Sequence, residues 1–303
     1  MPNREFVPGL ERRLFAGVSR EQFTQWDLTA VAWVIGQMVS ERWEIMRRGI
    51  LLSFVLVLVC GSSLSAQNKY NFSQFTHETA DFFKQPVKWR GSDWLKFGVI
   101  TAGTALAMQA DEPIRDAVLR SNGRYLRSVP VKIGRFWGEW YTPPMIAIGF
   151  GLHGWLADNA SSRKVGFELI QSVLYAAAAT EVLKFATGRA RPYQNEGAFS
   201  FHPFHFPRVG YLSLPGGHVT SAFSASTVLS RNAHPTALKI LAYVPAAITF
   251  VSRVYEDKHW TSDQVLGATV GCVMGSWVVD LHERKESAVR MTAAYPLTVS
   301  FSF

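Results

Sequence analysis

Three short segments carry side chains that can hold an oxyanion and move a proton. The first reads Lys184-Phe-Ala-Thr-Gly-Arg189-Ala-Arg191-Pro192 and closes an apolar helical stretch. If the helix continues, Lys184 and Arg191 share a stripe two turns apart and can point at one anion. Arginine brings a planar fork that matches phosphate oxygens, and lysine adds a mobile point charge. The second segment, Ser213-Leu-Pro-Gly216-Gly217-His218-Val-Thr220, sets two glycines before a helical pattern. Backbone can approach an anion closely there, and the free amides of a helix start face it. His218 stands at that mouth, and histidine can protonate a leaving alkoxide near neutral pH. The third segment runs from Ser252 and Arg253 to His259, Trp260, Thr261, Ser262, Asp263 and Gln264. Thr261 and Gln264 fit a capping box, so the last helix is expected to start there. Asp263, four residues after His259, can accept from one ring nitrogen and free the other to attack phosphorus.

Each segment alone has an ordinary alternative. A basic helix end complements the macrodipole, a glycine turn can carry a capping histidine, and a His and Asp pair can simply cap a helix. Three such segments, each at a helix end, point instead to one anion-handling pocket.

In these residues the chain resembles the type 2 phosphatidic acid phosphatase family, whose superfamily includes class A acid phosphatases and vanadium haloperoxidases. The family pattern is Lys, six residues, Arg-Pro; then Pro-Ser-Gly-His; then Ser-Arg, five residues, His, three residues, Asp. Lys184, Arg191 and Pro192, then Pro215 to His218, then Ser252, Arg253, His259 and Asp263 follow it in order and spacing. The resemblance spans residues 90 to 283 and implies a metal-independent phosphatase with no cofactor. It implies His259 as nucleophile, Asp263 as its orienting and charge-stabilising partner, and His218 as proton donor. Lys184, Arg191 and Arg253, with the backbone at Gly216 and Gly217, would hold the phosphate. Gly216 departs from the pattern, because the family has a serine whose hydroxyl would donate to a phosphate oxygen. Loss of one such donor weakens transition-state binding by about 3 to 4 kcal/mol at most, so reduced activity is expected before none. Other readings are a soluble periplasmic acid phosphatase, a vanadate-holding haloperoxidase, and a weakened relative that only binds an anion or lipid.

The elements that must position these residues read as helices. Six apolar segments centre on Trp94 to Ala110, Pro144 to Ala157, Val165 to Phe185, His218 to Ser230, Ala237 to Val251 and Gln264 to Leu281. None alternates with period two, so the expected fold is all-α: a helical bundle of about six core helices with the active site at helix ends. The 303 residues, 48% hydrophobic and 13% aromatic, suffice for a sizeable core. A net charge of +8 favours anionic partners. No basic run or nucleic-acid signature appears, so a phosphorylated lipid or small phosphoester, and a membrane surface or bilayer, fit better than nucleic acid. The apolar runs fall short of the roughly 20 residues that span a bilayer, and membrane association is favoured only narrowly over a buried periplasmic bundle.

Residues 46 to 66 form a basic, apolar, then small-residue run typical of a signal peptide or anchor, which predicts export to the cell envelope. Residues 1 to 45 then read as a misassigned or disordered extension, 67 to 285 as the phosphatase-like domain, and 286 to 303 as a tail. The alternating end, Leu297 to Phe303, suggests a short strand. Cys60 lies in the leader and Cys272 in an apolar stretch, so neither a disulfide nor a zinc site is expected. His202 and His205, in the aromatic loop Phe199 to Phe206, lack further ligands at metal-binding spacing.

Overall fold

A computed structural model describes residues 68, 70–121, 128–204 and 209–294, with side chains at 130 and 287–294 left aside. All of these lie within one compact unit. The leader, Cys60, His205 and the terminal strand pattern fall outside the described residues.

The described residues form an all-α fold. In chain order the helices are α1 (Phe72–Lys84), α2 (Gly91–Met108), α3 (Asp111–Arg120), α4 (Val129–Gly138), α5 (Thr142–Leu156) and α6 (Ala160–Thr187), then α7 (Gly217–Asn232), α8 (Thr236–Leu241), α9 (Val244–Tyr255) and α10 (Thr261–Ala294). Five of the six expected segments are single helices. The fifth divides into α8 and α9, because Pro245 in the first turn of α9 supplies no amide to a continuous ladder. The short helices α1, α3 and α4 add to the expected six.

The core lies where α5, α6, α7 and α10 meet, at Ala147, Val165, Leu169, Ala225, Val228 and Val279. Small residues bring α10 close to α7. A Cβ at Gly267 would stand 2.8 Å from the Gly216 oxygen, one at Gly271 2.8 Å from the Ser224 nitrogen, and one at Gly275 2.8 Å from Thr227 Cβ. This glycine ridge, repeating every four residues, sets the near-contact of two backbones. It thereby fixes the start of α10 beside the start of α7.

Polar side chains are buried beside this apolar core, while many large apolar ones are exposed. On α6, Glu168, Gln171, Ser172 and Thr180 are buried while Leu174, Val182 and Phe185 are exposed. On α10, Gln264 and His282 are buried and Val265 and Val273 exposed. Such inversion suits a lipid-facing surface better than a water-facing one. Ala160–Thr187, Thr236–Tyr255 and Thr261–Glu286 are long and apolar enough to cross a membrane.

A buried polar cluster fastens α1 to this bundle. Glu78 accepts from Gln171 at 2.7 Å and from Lys285 at 2.7 Å, and lies 3.1 Å from His282, whose other ring nitrogen is 3.1 Å from Glu168. Burial works against the Glu78 charge, but hydrogen bonds from His282, Lys285 and Gln171 outweigh it and bring its pKa down to about 2.

Candidate active site

The three sequence segments converge at the N-terminus of α7. Gly216 is its N-cap, and the first-turn amides there have no intrahelical partner. Lys184, in the last turn of α6, brings Nζ within 3.2 Å of the position a Gly217 Cβ would take, and Glu181 accepts from it at 2.7 Å. α6 does not continue to Arg191 as the shared-stripe reading expected. It ends at Gly188, whose left-handed backbone (φ 55°) and contact with the His202 carbonyl exclude a side chain. Arg191 is extended instead, yet it lies near enough to His259 for their charges to interact.

His218 follows the α7 N-cap, with 37% of its side chain exposed and Nε2 3.8 Å from Glu139 Oε2. Desolvation of the ring, then the charges of Arg253, His259 and Lys184, hold its pKa well below the usual imidazole range. A bound phosphoryl group would reverse that field and favour the protonated form. Arg253, on α9, donates to Glu139 at 3.2 Å and Glu256 at 3.1 Å, while its Nε has no partner among the described residues. A cavity of about 410 Å³, lined by Arg135, Glu139, Arg253, Glu256 and Lys258, opens alongside.

His259 is 4% exposed, just before α10. Its Nδ1 lies 2.8 Å from the Ser213 carbonyl oxygen, which can only accept, so the proton is on Nδ1 and Nε2 carries the lone pair. The expected direct hydrogen bond to Asp263 is not formed, since Asp263 Oδ2 is 3.7 Å from Nδ1. Asp263 instead accepts from Arg189 Nη1 (2.6 Å), Ser213 Oγ (2.6 Å) and the Trp260 amide (2.8 Å). The last of these caps α10 from Asp263, not from the expected Thr261 and Gln264 pair. Burial lowers the His259 pKa, with Asp263 opposing, which leaves a neutral ring near neutral pH.

Sequence reasoning overlooked the scaffold beneath this histidine. Arg189, fully buried, also donates to Ser262 Oγ (2.7 Å), Asp111 Oδ2 (2.8 Å) and the Ala198 carbonyl. Asp111 in turn accepts from the Ser262 amide at 2.8 Å. Arg189 was visible beside Arg191 but read as part of a basic segment, whereas Asp111 lies far upstream with no spacing to betray it. Among the described residues no group of three or more His, Cys, Asp or Glu could hold a metal ion.

The structure gathers Lys184, His218, Arg253 and His259 near one helix start, an arrangement that can hold an oxyanion. The family model described as PAP2 superfamily matches residues 166–287. A lipid A 1-phosphatase of Porphyromonas gingivalis is 32% identical over 92 residues, 29% of this chain and 21% of that protein. An undecaprenyl-diphosphatase of Sulfolobus acidocaldarius is 30% identical over 129 residues, covering 42% of this chain and 57% of that protein. A lipid A 1-phosphatase of Rhizobium etli is 32% identical over 112 residues, 35% and 46% of the two chains. The matches thus span less than two thirds of these relatives. Among solved structures, Aquifex aeolicus LpxE aligns with a TM-score of 0.41 at 19% identity, over 56% of this chain and 93% of that one. A transmembrane PAP2 type phosphatidylglycerolphosphate phosphatase from Bacillus subtilis aligns with a TM-score of 0.47 at 22% identity, over 63% and 94%.

Proposed function

We propose that this chain is an exported, membrane-associated phosphatase that removes a phosphoryl group from a lipid through a phosphohistidine on His259, without a metal. The observation that carries this reading is the convergence of Lys184, His218, Arg253 and His259 at the α7 N-terminus, with His259 Nδ1 engaged and Nε2 free.

In the first step His259 Nε2 attacks phosphorus and the bond to the leaving oxygen breaks. His218 gives that oxygen a proton. Positive charge left on the His259 ring is stabilised by Asp263 at 3.7 Å, while the Nδ1 proton remains with the Ser213 carbonyl. In the second step His218 takes a proton from water, the resulting hydroxide attacks phosphorus, and the P–N bond breaks to release inorganic phosphate. Lys184, Arg191, Arg253 and the Gly217 and His218 amides hold the non-bridging oxygens where charge develops. A phosphorylated lipid is favoured as substrate by the apolar outer faces of α6 and α10 and by the names of the relatives, lipid A 1-phosphatase and undecaprenyl-diphosphatase.

The test is hydrolysis of a panel containing phosphatidate, a polyprenyl diphosphate, a lipid A phosphate and soluble monoesters, with EDTA present. A lipid substrate cleaved faster than the monoesters, with EDTA harmless, supports the reading. Release of phosphate from none of them sinks it.

A further inference from the structure

The family pattern places a serine at position 216, and this chain has glycine. Its backbone (φ −72°, ψ 97°) is open to any residue, so conformation does not demand the glycine. Space does. A Cβ at 216 would overlap Gln264 Oε1 and stand 2.9 Å from Gln264 Cδ. The carboxamide of Gln264 therefore fills the volume into which a residue 216 side chain would project.

Gln264 is fully buried, and neither its Oε1 nor its Nε2 has a hydrogen-bond partner among the described residues. Burying an amide with both polar atoms unmatched is unfavourable, and such groups ask for a ligand. Arg191 Nε and Arg253 Nε are likewise buried without a partner among the described residues. Gln264 is free to turn inward because Asp263 caps α10 in its place. The glycine ridge of α10 also brings the two helix starts together, with a Gly267 Cβ position 2.8 Å from the Gly216 oxygen.

We propose that Gln264 is a phosphate-binding residue whose Nε2 donates to a non-bridging phosphoryl oxygen, replacing the hydroxyl that position 216 lacks. Gly216 and Gln264 are then one exchanged pair, in which the donor has moved from the α7 N-cap to the first turn of α10. The proposal rests on the phosphatase reading above.

The test uses the full chain in detergent, with p-nitrophenyl phosphate as substrate and inorganic phosphate as competitive inhibitor. Gln264→Ala is expected to lower kcat about 100-fold, the scale for loss of one oxyanion donor, and to weaken phosphate inhibition. Gly216→Ser alone is expected to lower activity through overlap with Gln264. The double variant Gly216→Ser with Gln264→Ala is expected to recover at least tenfold over Gln264→Ala. Gln264→Met, which keeps the side-chain length without the donor, repeats the measurement if the alanine variant fails to fold. Wild-type rates and phosphate inhibition in a folded Gln264 variant would overturn the proposal, as would a double variant no better than Gln264→Ala. A wild-type protein that neither hydrolyses phosphoesters nor binds phosphate would instead defeat the phosphatase reading, and this inference with it.

Discussion

His259 donates its Nδ1 proton to the Ser213 carbonyl oxygen at 2.8 Å, while the Asp263 carboxylate stays 3.7 Å from the same nitrogen. Backbone thus sets the tautomer, and on the proposed mechanism Asp263 would act through charge and through the scaffold it shares with Arg189. Asp263→Asn is expected to lower kcat at least 100-fold and, by upsetting a buried ion pair, to cost about 3 to 5 kcal/mol of stability. Ser213→Ala removes only a hydroxyl donor to Asp263 and keeps the carbonyl, so a loss under about tenfold is expected. Steady-state rates and thermal unfolding in detergent check both, and equal losses in the two variants would refute the division of labour.

His218 as proton donor makes the rate of its variants depend on the leaving group. His218→Asn is expected to slow hydrolysis of an alkyl phosphate by about 10² to 10⁴, the range for general acid catalysis, and that of p-nitrophenyl phosphate far less. Comparison of kcat/KM for the two esters measures this directly. Equal losses would assign His218 to binding alone.

The glycine ridge of α10 makes a stability claim that carries its own control. A Cβ at Gly271 would overlap the Thr220 carbonyl, whereas one at Gly103 on α2 meets nothing within 4 Å. Gly271→Ala is expected to lower the unfolding temperature and activity together, by parting the starts of α7 and α10. Gly103→Ala should leave activity unchanged and stability equal or slightly higher, as alanine favours helix.

Acid should loosen α1. The Glu78 pKa is depressed from 4.5 to about 2, so its contribution to stability is fully present above pH 4.5 and is lost as pH falls through about 2. Limited acid proteolysis within residues 72 to 84 reads this, and Glu78→Gln should show much of the loosening already at pH 7.

The six apolar segments were legible because each is long, and their polar positions turned out to face inward. The helices α1, α3 and α4 were not, since they are short and charged and gain their order from partners such as His282 and Asp257. The structure brings Lys184, His218, Arg253 and His259 near one another, because the spacing within each segment is local. The route of Arg191 was misjudged, although Gly188 four residues after Lys184 carried the stop signal. The positions of Asp111, Arg189 and Gln264 in the fold are not legible for a different reason: they depend on burial and on contacts between distant segments. Only the fold creates those contacts.

The central claim is a covalent phosphoryl group on His259. The most direct measurement is mass spectrometry of the protein quenched in alkali during turnover, with the fragment containing residue 259 compared between wild type and His259→Ala. The account expects an acid-labile phosphoryl group on His259 in the wild type, and none, with hydrolysis abolished, in the variant. Undiminished phosphate release by His259→Ala would contradict it.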